Sequence, residues 1–193
     1  MKPVKYGWWI PAAAVIVLAT GCGRSPEGGR SEPGQPGQIS LAQTSRLTVE
    51  AENPDAETLE PPMVIEDNPD ASGGKCLAVL EGAGNPGKGA GADKTVFGKA
   101  DYSVEIPAQG KYIFWARAFW NDACGNSVRI AVDDGNSWEF NDSVYQKWHW
   151  VKGSVLELSP GKHKIVIYNR EDGAKLDEFL LTTDAGYWPT GLE

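Results

Sequence analysis

Six tryptophans fall between residues 115 and 188 of this chain, and three polar clusters lie among them. The first runs Trp120-Asn121-Asp122-Ala123-Cys124-Gly125-Asn126-Ser127, the second Tyr145-Gln146-Lys147-Trp148-His149-Trp150, and the third Asn169-Arg170-Glu171-Asp172. Aromatic rings offer a flat apolar face, while amides, carboxylates and guanidinium groups supply donors and acceptors beside it. That combination suits a polyhydroxylated ligand such as a sugar, whose C–H faces stack and whose hydroxyls both give and take hydrogen bonds. The candidate ligand-contacting residues are Trp120, Asp122, Asn126, Tyr145, Arg170 and Asp172. Packing competes with this reading at each one. Trp115 and Trp150 alternate within apolar runs and are read as core, whereas Trp120 and Tyr145 are divided between platform and packing. Arg170, Glu171 and Asp172 also suit a solvated turn or an internal ion pair.

Other chemistry is poorly supported. Gly82 to Gly89 has phosphate-loop spacing, but no helix follows to hold an anion and the Ser/Thr after the lysine is missing. No HExxH or CxxC spacing occurs, and acid pairs of the kind a glycosidase needs are too common here to count. His163 follows a Pro-Gly turn and shares alternation with Ile165 and Ile167, which marks a structurally hydrogen-bonded ring. Glu50 and Glu52 are two apart, so a strand there projects both carboxylates from one face. A non-catalytic protein is expected.

The elements that must position these residues are strands. Leu47–Glu52, Met63–Asp67, Cys76–Leu80, Tyr102–Ile106, Lys111–Phe119, Val128–Val132, Val155–Leu158, Lys164–Tyr168 and Leu176–Leu181 have strand length and β-branched or aromatic content. Turn signals separate them, among them Pro61-Pro62, Ser72-Gly73-Gly74, Asp134-Gly135 and Pro160-Gly161. With 23 glycines and 13 prolines in 193 residues, and no sustained helical period, the expectation is an all-β, two-sheet antiparallel sandwich over residues 47–193.

The first 21 residues read as an export signal: Lys2 and Lys5, an apolar run from Trp8 to Leu18, then Ala19-Thr20-Gly21 before Cys22. The run is too short to span a bilayer. Small residues before a cysteine resemble the bacterial lipobox, which implies lipidation of Cys22 and a bacterial envelope location facing the periplasm or exterior. Residues 22–46 are Gly-, Pro-, Ser- and Gln-rich and are expected to form a disordered linker. Past the leader, 16 basic side chains face 26 acidic ones, which argues against a nucleic-acid partner. Cys76 and Cys124 remain in an oxidising compartment, and sequence leaves both pairing and free thiols open. The Ala185-Gly-Tyr187-Trp188-Pro189 tail is likewise open between packing back and projecting.

Several of these pieces together carry a resemblance. Val49-Glu50-Ala51-Glu52, Ala71-Ser72-Gly73-Gly74, Gly110-Lys-Tyr112 leading into Trp115-Ala-Arg117, Pro160-Gly161-Lys-His163 and Leu176-Asp177 follow the order seen in the jelly-roll carbohydrate-binding modules of families 6 and 35, which this chain resembles from about Leu47 to Thr183. The resemblance implies a galactose-binding-like jelly roll that binds a glycan without cleaving it. It implies a structural calcium ion held by Glu50, Glu52 and Asp177, in keeping with the preference of calcium for oxygen ligands. It gives Tyr145 the sugar-stacking place and Trp148 the packing place. Where the family carries a ligand-binding asparagine, this chain has Asp172, which accepts hydrogen bonds but donates none when ionised. The alternative is an envelope structural or protein-interaction lipoprotein on the same sandwich.

Overall fold

The computed structural model describes residues 44–84, 86 and 98–192; the signal segment, Cys22, most of the linker and part of the glycine-rich stretch lie outside them. Ten strands form two antiparallel sheets. In chain order they are β1 (Arg46–Glu50), β2 (Met63–Asp67), β3 (Lys75–Val79), β4 (Lys99–Ile106), β5 (Gly110–Trp120), β6 (Ser127–Val132), β7 (Trp138–Asn141), β8 (Trp148–Leu158), β9 (Gly161–Asn169) and β10 (Ala174–Thr182). The larger sheet runs β2-β3-β10-β5-β8, with β1 also paired to β10, and the smaller runs β4-β9-β6-β7. Among the described residues there is no α-helix, only a short 3₁₀ turn at Ser72–Gly74.

Period-two alternation builds the core. On β4, Ala100, Tyr102, Val104 and Ile106 point inward, and on β5 the even-numbered Tyr112, Phe114, Ala116, Ala118 and Trp120 meet them from the other sheet. Phe114 stacks on Phe179 of β10 and meets Phe140 of β7 edge-on, so aromatic contacts tie the sheets together. The odd-numbered side of β5 is also covered: Ile113 and Trp115 form a second buried cluster with Leu180, against which Trp150 and Tyr187 pack. Burial on both faces is why β5 reads as a near-continuous apolar run instead of a clean alternation.

The tail packs back. Trp188 sits edge-on to Trp115 with ring centroids 4.9 Å apart, Arg46 lies over the Tyr187 ring, and the Trp150 indole N–H donates to the Gly191 carbonyl. Three elements depart from the sequence reading. β1 ends at Glu50, so Glu52 lies in the turn that follows and does not share a strand face with Glu50; the Asn53 N–H closes that turn on the Glu50 carbonyl. β7 was not expected, because four residues give the alternation too little length. β8 begins at Trp148, seven residues ahead of Val155, because Trp148, His149 and Trp150 pair with Phe119, Ala118 and Arg117 instead of forming a loop.

Candidate functional site

Strand register gathers four connections at one end of the sandwich. Lys175 pairs with Ala78, Ala174 with Trp120, Phe119 with Trp148, Ser127 with Asn141, and Val128 with Asn169. The β3–β4, β5–β6, β7–β8 and β9–β10 loops therefore leave from the same edge. Against them lies a cleft of about 330 Å³. Phe119, Val79 and Leu80 supply its apolar surface, and Glu66, Glu81, Asn121, Gln146 and Lys175 its polar groups.

A network across three loops organises the polar side. The Asn121 amide donates to Glu81 Oε2 at 3.0 Å, and the Gln146 amide donates to the Asn121 carbonyl at 2.5 Å and to its Oδ1 at 3.0 Å. Gln146 reaches this position from a left-handed backbone, φ 60°, anchored by its N–H on the Trp120 carbonyl. Lys175 is tied to Glu66 at 2.5 Å and lies over the Phe119 ring, whose edge meets Trp148. Two glycines allow this closeness. A Cβ at Gly173, φ 76°, would lie 2.6 Å from Glu81 Oε2, and one at Gly125 would lie 2.4 Å from the Asp172 carbonyl.

The expected contact residues are at this end but are mostly spent on holding it together. Trp120 is fully buried in the core and donates its indole N–H to Asp142 Oδ1, so it offers no stacking face, a correction to its role as a platform. Tyr145 is half-buried and packs against the same core. Asp122 accepts the Cys124 and Gly125 N–H groups and shapes its own loop. Asn126 donates to the Asp142 carbonyl, and Asp172 accepts the N–H groups of Gly82 and Gly84. Arg170 is an internal ion-pair centre instead of a ligand contact: its guanidinium meets Glu139 and Glu171 and donates to the Ser127 hydroxyl. Sequence reasoning missed Asp142, which receives Trp120, Val144 and His149, and missed Asn121 and Gln146, each one step from a residue it chose. Cys76 and Cys124 are both free; burial pushes the Cys76 thiol up to about 12, and Cys124 is exposed.

Glu50, Glu52 and Asp177 do come together, around the turn at Ser72. The Ser72 N–H donates to Asp177 Oδ1 at 2.7 Å and its hydroxyl to Glu50 Oε1 at 3.0 Å, while a Cβ at Gly73 would lie 3.0 Å from Glu52 Oε1. A register shift between Leu176 and Phe179 interrupts the ladder here, and Glu178, directly across from Glu50, is fully buried as well. Asp177 is fully buried and is bound by the Arg117 guanidinium. Glu50 Oε2 and Glu52 Oε2 are buried without a hydrogen-bond partner. Burial raises the Glu52 carboxyl above its ordinary range; its own backbone opposes this, and the Glu50 and Asp177 charges add to it. Chemically this acid-rich pocket fits a hard cation, although among the described residues no three His, Cys, Asp or Glu side chains are already gathered as a metal cage.

The other end of the sandwich holds a larger concavity of about 460 Å³ lined by Gln109, Lys111, Glu157, Ser159 and His163, with no aromatic wall. Asp133, His163 and Ser159 also approach each other there, 2.7 Å from carboxylate to Nδ1 and 3.5 Å from Nε2 to the hydroxyl. The grouping is structural: Nε2 donates to the Ser159 carbonyl at 2.9 Å, and Asp133, with that carbonyl's help, holds the ring toward its protonated form against the effect of burial. A ring whose two nitrogens both donate has no lone pair with which to take a proton from Ser159.

No protein-family model matches the sequence, and no curated protein does. Solved structures do match. A family 35 carbohydrate-binding module from Clostridium thermocellum is similar with a TM-score of 0.53, covering 70% of this chain and 97% of that one at 18% identity. The fold is that of the family 6 and 35 carbohydrate-binding modules. The C-terminal family 6 module of a laminarinase from Zobellia galactanivorans gives 0.51 over 72% of this chain and 99% of that one at 16% identity. A carbohydrate-binding module of Cellvibrio mixtus lichenase 5A, solved with cellotriose, gives 0.51 over 72% and 97% at 18% identity. An exo-β-1,3-galactanase from Phanerochaete chrysosporium matches at 0.50, but this chain spans only 29% of that enzyme's length.

Proposed function

We propose that this chain is a non-catalytic glycan-binding module, anchored to a bacterial envelope through lipid on Cys22, with its binding site in the loop-edge cleft. The observation that supports this most is the union of an apolar wall at Phe119 with the Glu81, Asn121 and Gln146 network in one concavity. A sugar ring presents that pairing of an apolar face with a rim of hydroxyls. The aromatic platform is then Phe119, backed by Trp148, instead of Tyr145 with Trp120 nearby. Calcium belongs to this proposal as a clamp on the fold. Glu50 and Glu52 would hold it through their partnerless buried oxygens, with Asp177 sharing an oxygen between the ion and Arg117. The ion would supply positive charge beyond that of Arg117 and the nearby Lys75.

The test is retention of the purified protein on a panel of plant, algal and bacterial polysaccharides. Retention on a narrow set is expected, and Gln146→Gly, which keeps the left-handed backbone while removing the amide, should weaken it about tenfold at an unchanged Tm. A folded protein that nothing on the panel retains would overturn the proposal.

A further inference from the structure

The unspent hydrogen-bonding capacity of the loop-edge cleft is lopsided, and this bears on what it takes. Gln146 gives both observed amide hydrogen bonds to Asn121, which leaves its Oε1 as an acceptor. Glu81 Oε2 already takes the Asn121 amide, leaving Oε1; Glu66 Oε1 takes Lys175, leaving its other oxygen. Against these three acceptor oxygens, each with two lone pairs, stand one remaining amide hydrogen of Asn121 and the two remaining N–H groups of the Lys175 ammonium, whose charge is already matched by Glu66. Formal charge points the same way. Glu66 and Lys175 cancel, so Glu81 leaves the described lining with one net negative charge, in a chain of net charge −8. Glu81 is held toward the cleft by the Asn121 amide, in space left open by the bare Cα of Gly173, where a Cβ would lie 2.6 Å from its oxygen.

A site with acceptors to spare and a negative balance favours a ligand rich in donors and carrying positive charge. The geometry points to a protonated amino sugar, a glucosamine-type residue with an unmodified ammonium group, as the preferred occupant, with its ammonium on Glu81 and its ring against Phe119. A uronate would bring a carboxylate toward Glu81, and Lys175, the cation in the described lining of the cleft, is already paired with Glu66. This inference rests on the reading of the cleft as a glycan site.

The experiment titrates the full protein at pH 6 with four trisaccharides by calorimetry: fully deacetylated glucosamine, N-acetylglucosamine, glucose and galacturonate. Deacetylated glucosamine is expected to bind about tenfold more tightly than its acetylated form, as a charge-assisted hydrogen bond at a partly exposed carboxylate provides. Galacturonate is expected to bind weakest. In Glu81→Gln the ratio of the two glucosamine affinities should fall close to one. Equal affinities in the wild type, tightest binding of galacturonate, or a preference that survives in Glu81→Gln would overturn the inference while leaving the cleft a glycan site. Failure of all four ligands to bind would overturn it too, and the polysaccharide panel then decides separately whether the glycan reading stands.

Discussion

Arg117→Met is the sharpest probe of how the larger sheet tolerates so much buried acid. Asp177 is fully buried and Arg117 retains 13% exposure, so the pair is screened little by solvent. Removing the guanidinium would strip Asp177 of its charge partner and leave it beside Glu50 and Glu52. It would also delete the hydrogen bond from Arg117 to the Asp70 carbonyl and the cation lying 5.1 Å from the Trp148 ring centre. Breaking a buried pair from one side costs about 3–5 kcal/mol. At about 2–4 °C per kcal/mol for a domain of this size, Tm at pH 7 should fall by about 6–20 °C, measured by calorimetry. The deficit should shrink toward pH 5, because Glu52, already raised by burial, is positioned to take up a proton and relieve the cluster. Adding Asp177→Leu should restore most of the loss, since an apolar pair avoids the desolvation that the ions incur. A fall of less than about 2 °C would refute the reasoning, for it would mean that Asp177 is compensated without Arg117.

The same cluster predicts a response to calcium. An ion at a hundred times its Kd stabilises by about 2.7 kcal/mol, so chelation at pH 7 should lower Tm by about 5–11 °C. The drop should shrink as pH is lowered, because protonation of Glu52, whose carboxyl burial raises, weakens its hold on the ion, and an unchanged Tm at pH 7 would remove calcium from the account. His163 predicts a second pH effect at the opposite end. Its ring is held protonated by Asp133, so its contribution is complete below about pH 6.5 and lost as pH rises through the raised pKa. Burial would lift Asp133, but the Lys164 N–H and the His163 ring outweigh it; the carboxyl is lowered, and its contribution is complete above about pH 4 and lost below. Stability from this latch is therefore greatest from about pH 4 to 6.5, and His163→Gln should flatten the decline of Tm between pH 6.5 and 8. An identical slope in the variant would count against it.

Strands were legible because alternation and turn residues are local properties. Ala100, Tyr102, Val104 and Ile106 declare an inward face in the sequence itself, and Pro160-Gly161 ends β8 wherever β8 begins. What was not legible depends on partners far along the chain. Trp150 read as part of a strand-like run, but the strand itself was started only at Val155, whereas Phe119, Ala118 and Arg117 of β5 recruit Trp148 to Trp150 into the ladder. The meeting of Glu50, Glu52 and Asp177 was expected from the family resemblance, and the binding of Asp177 by Arg117 was not, because Arg117 lies on a strand whose apolar run gives no sign that one face is covered by the 68–74 loop.

The cleft proposed for the ligand lies at the edge where the expected residues cluster, but neighbouring residues line it, and the difference has one physical cause. Chemically conspicuous side chains at a loop–strand junction are the ones that the junction itself consumes. Trp120 is the last residue of β5 and still follows the inward, even-numbered phase, so its ring enters the core; Asn121, one step on, leaves that phase and reaches the cleft. Tyr145 and Gln146 divide in the same way, the ring going to the core and the amide, on a left-handed residue, to the cleft. Asp172 stitches the Gly82 and Gly84 amides, while the residue after it has no side chain and so leaves Glu81 room. On this sandwich, two polar residues that line the cleft, Asn121 and Gln146, each follow directly on a ring that packs against the core. Under the proposed glycan reading, Asn121, Gln146 and Glu81 stand ahead of every aromatic ring in the loops as the determinants of what this cleft holds.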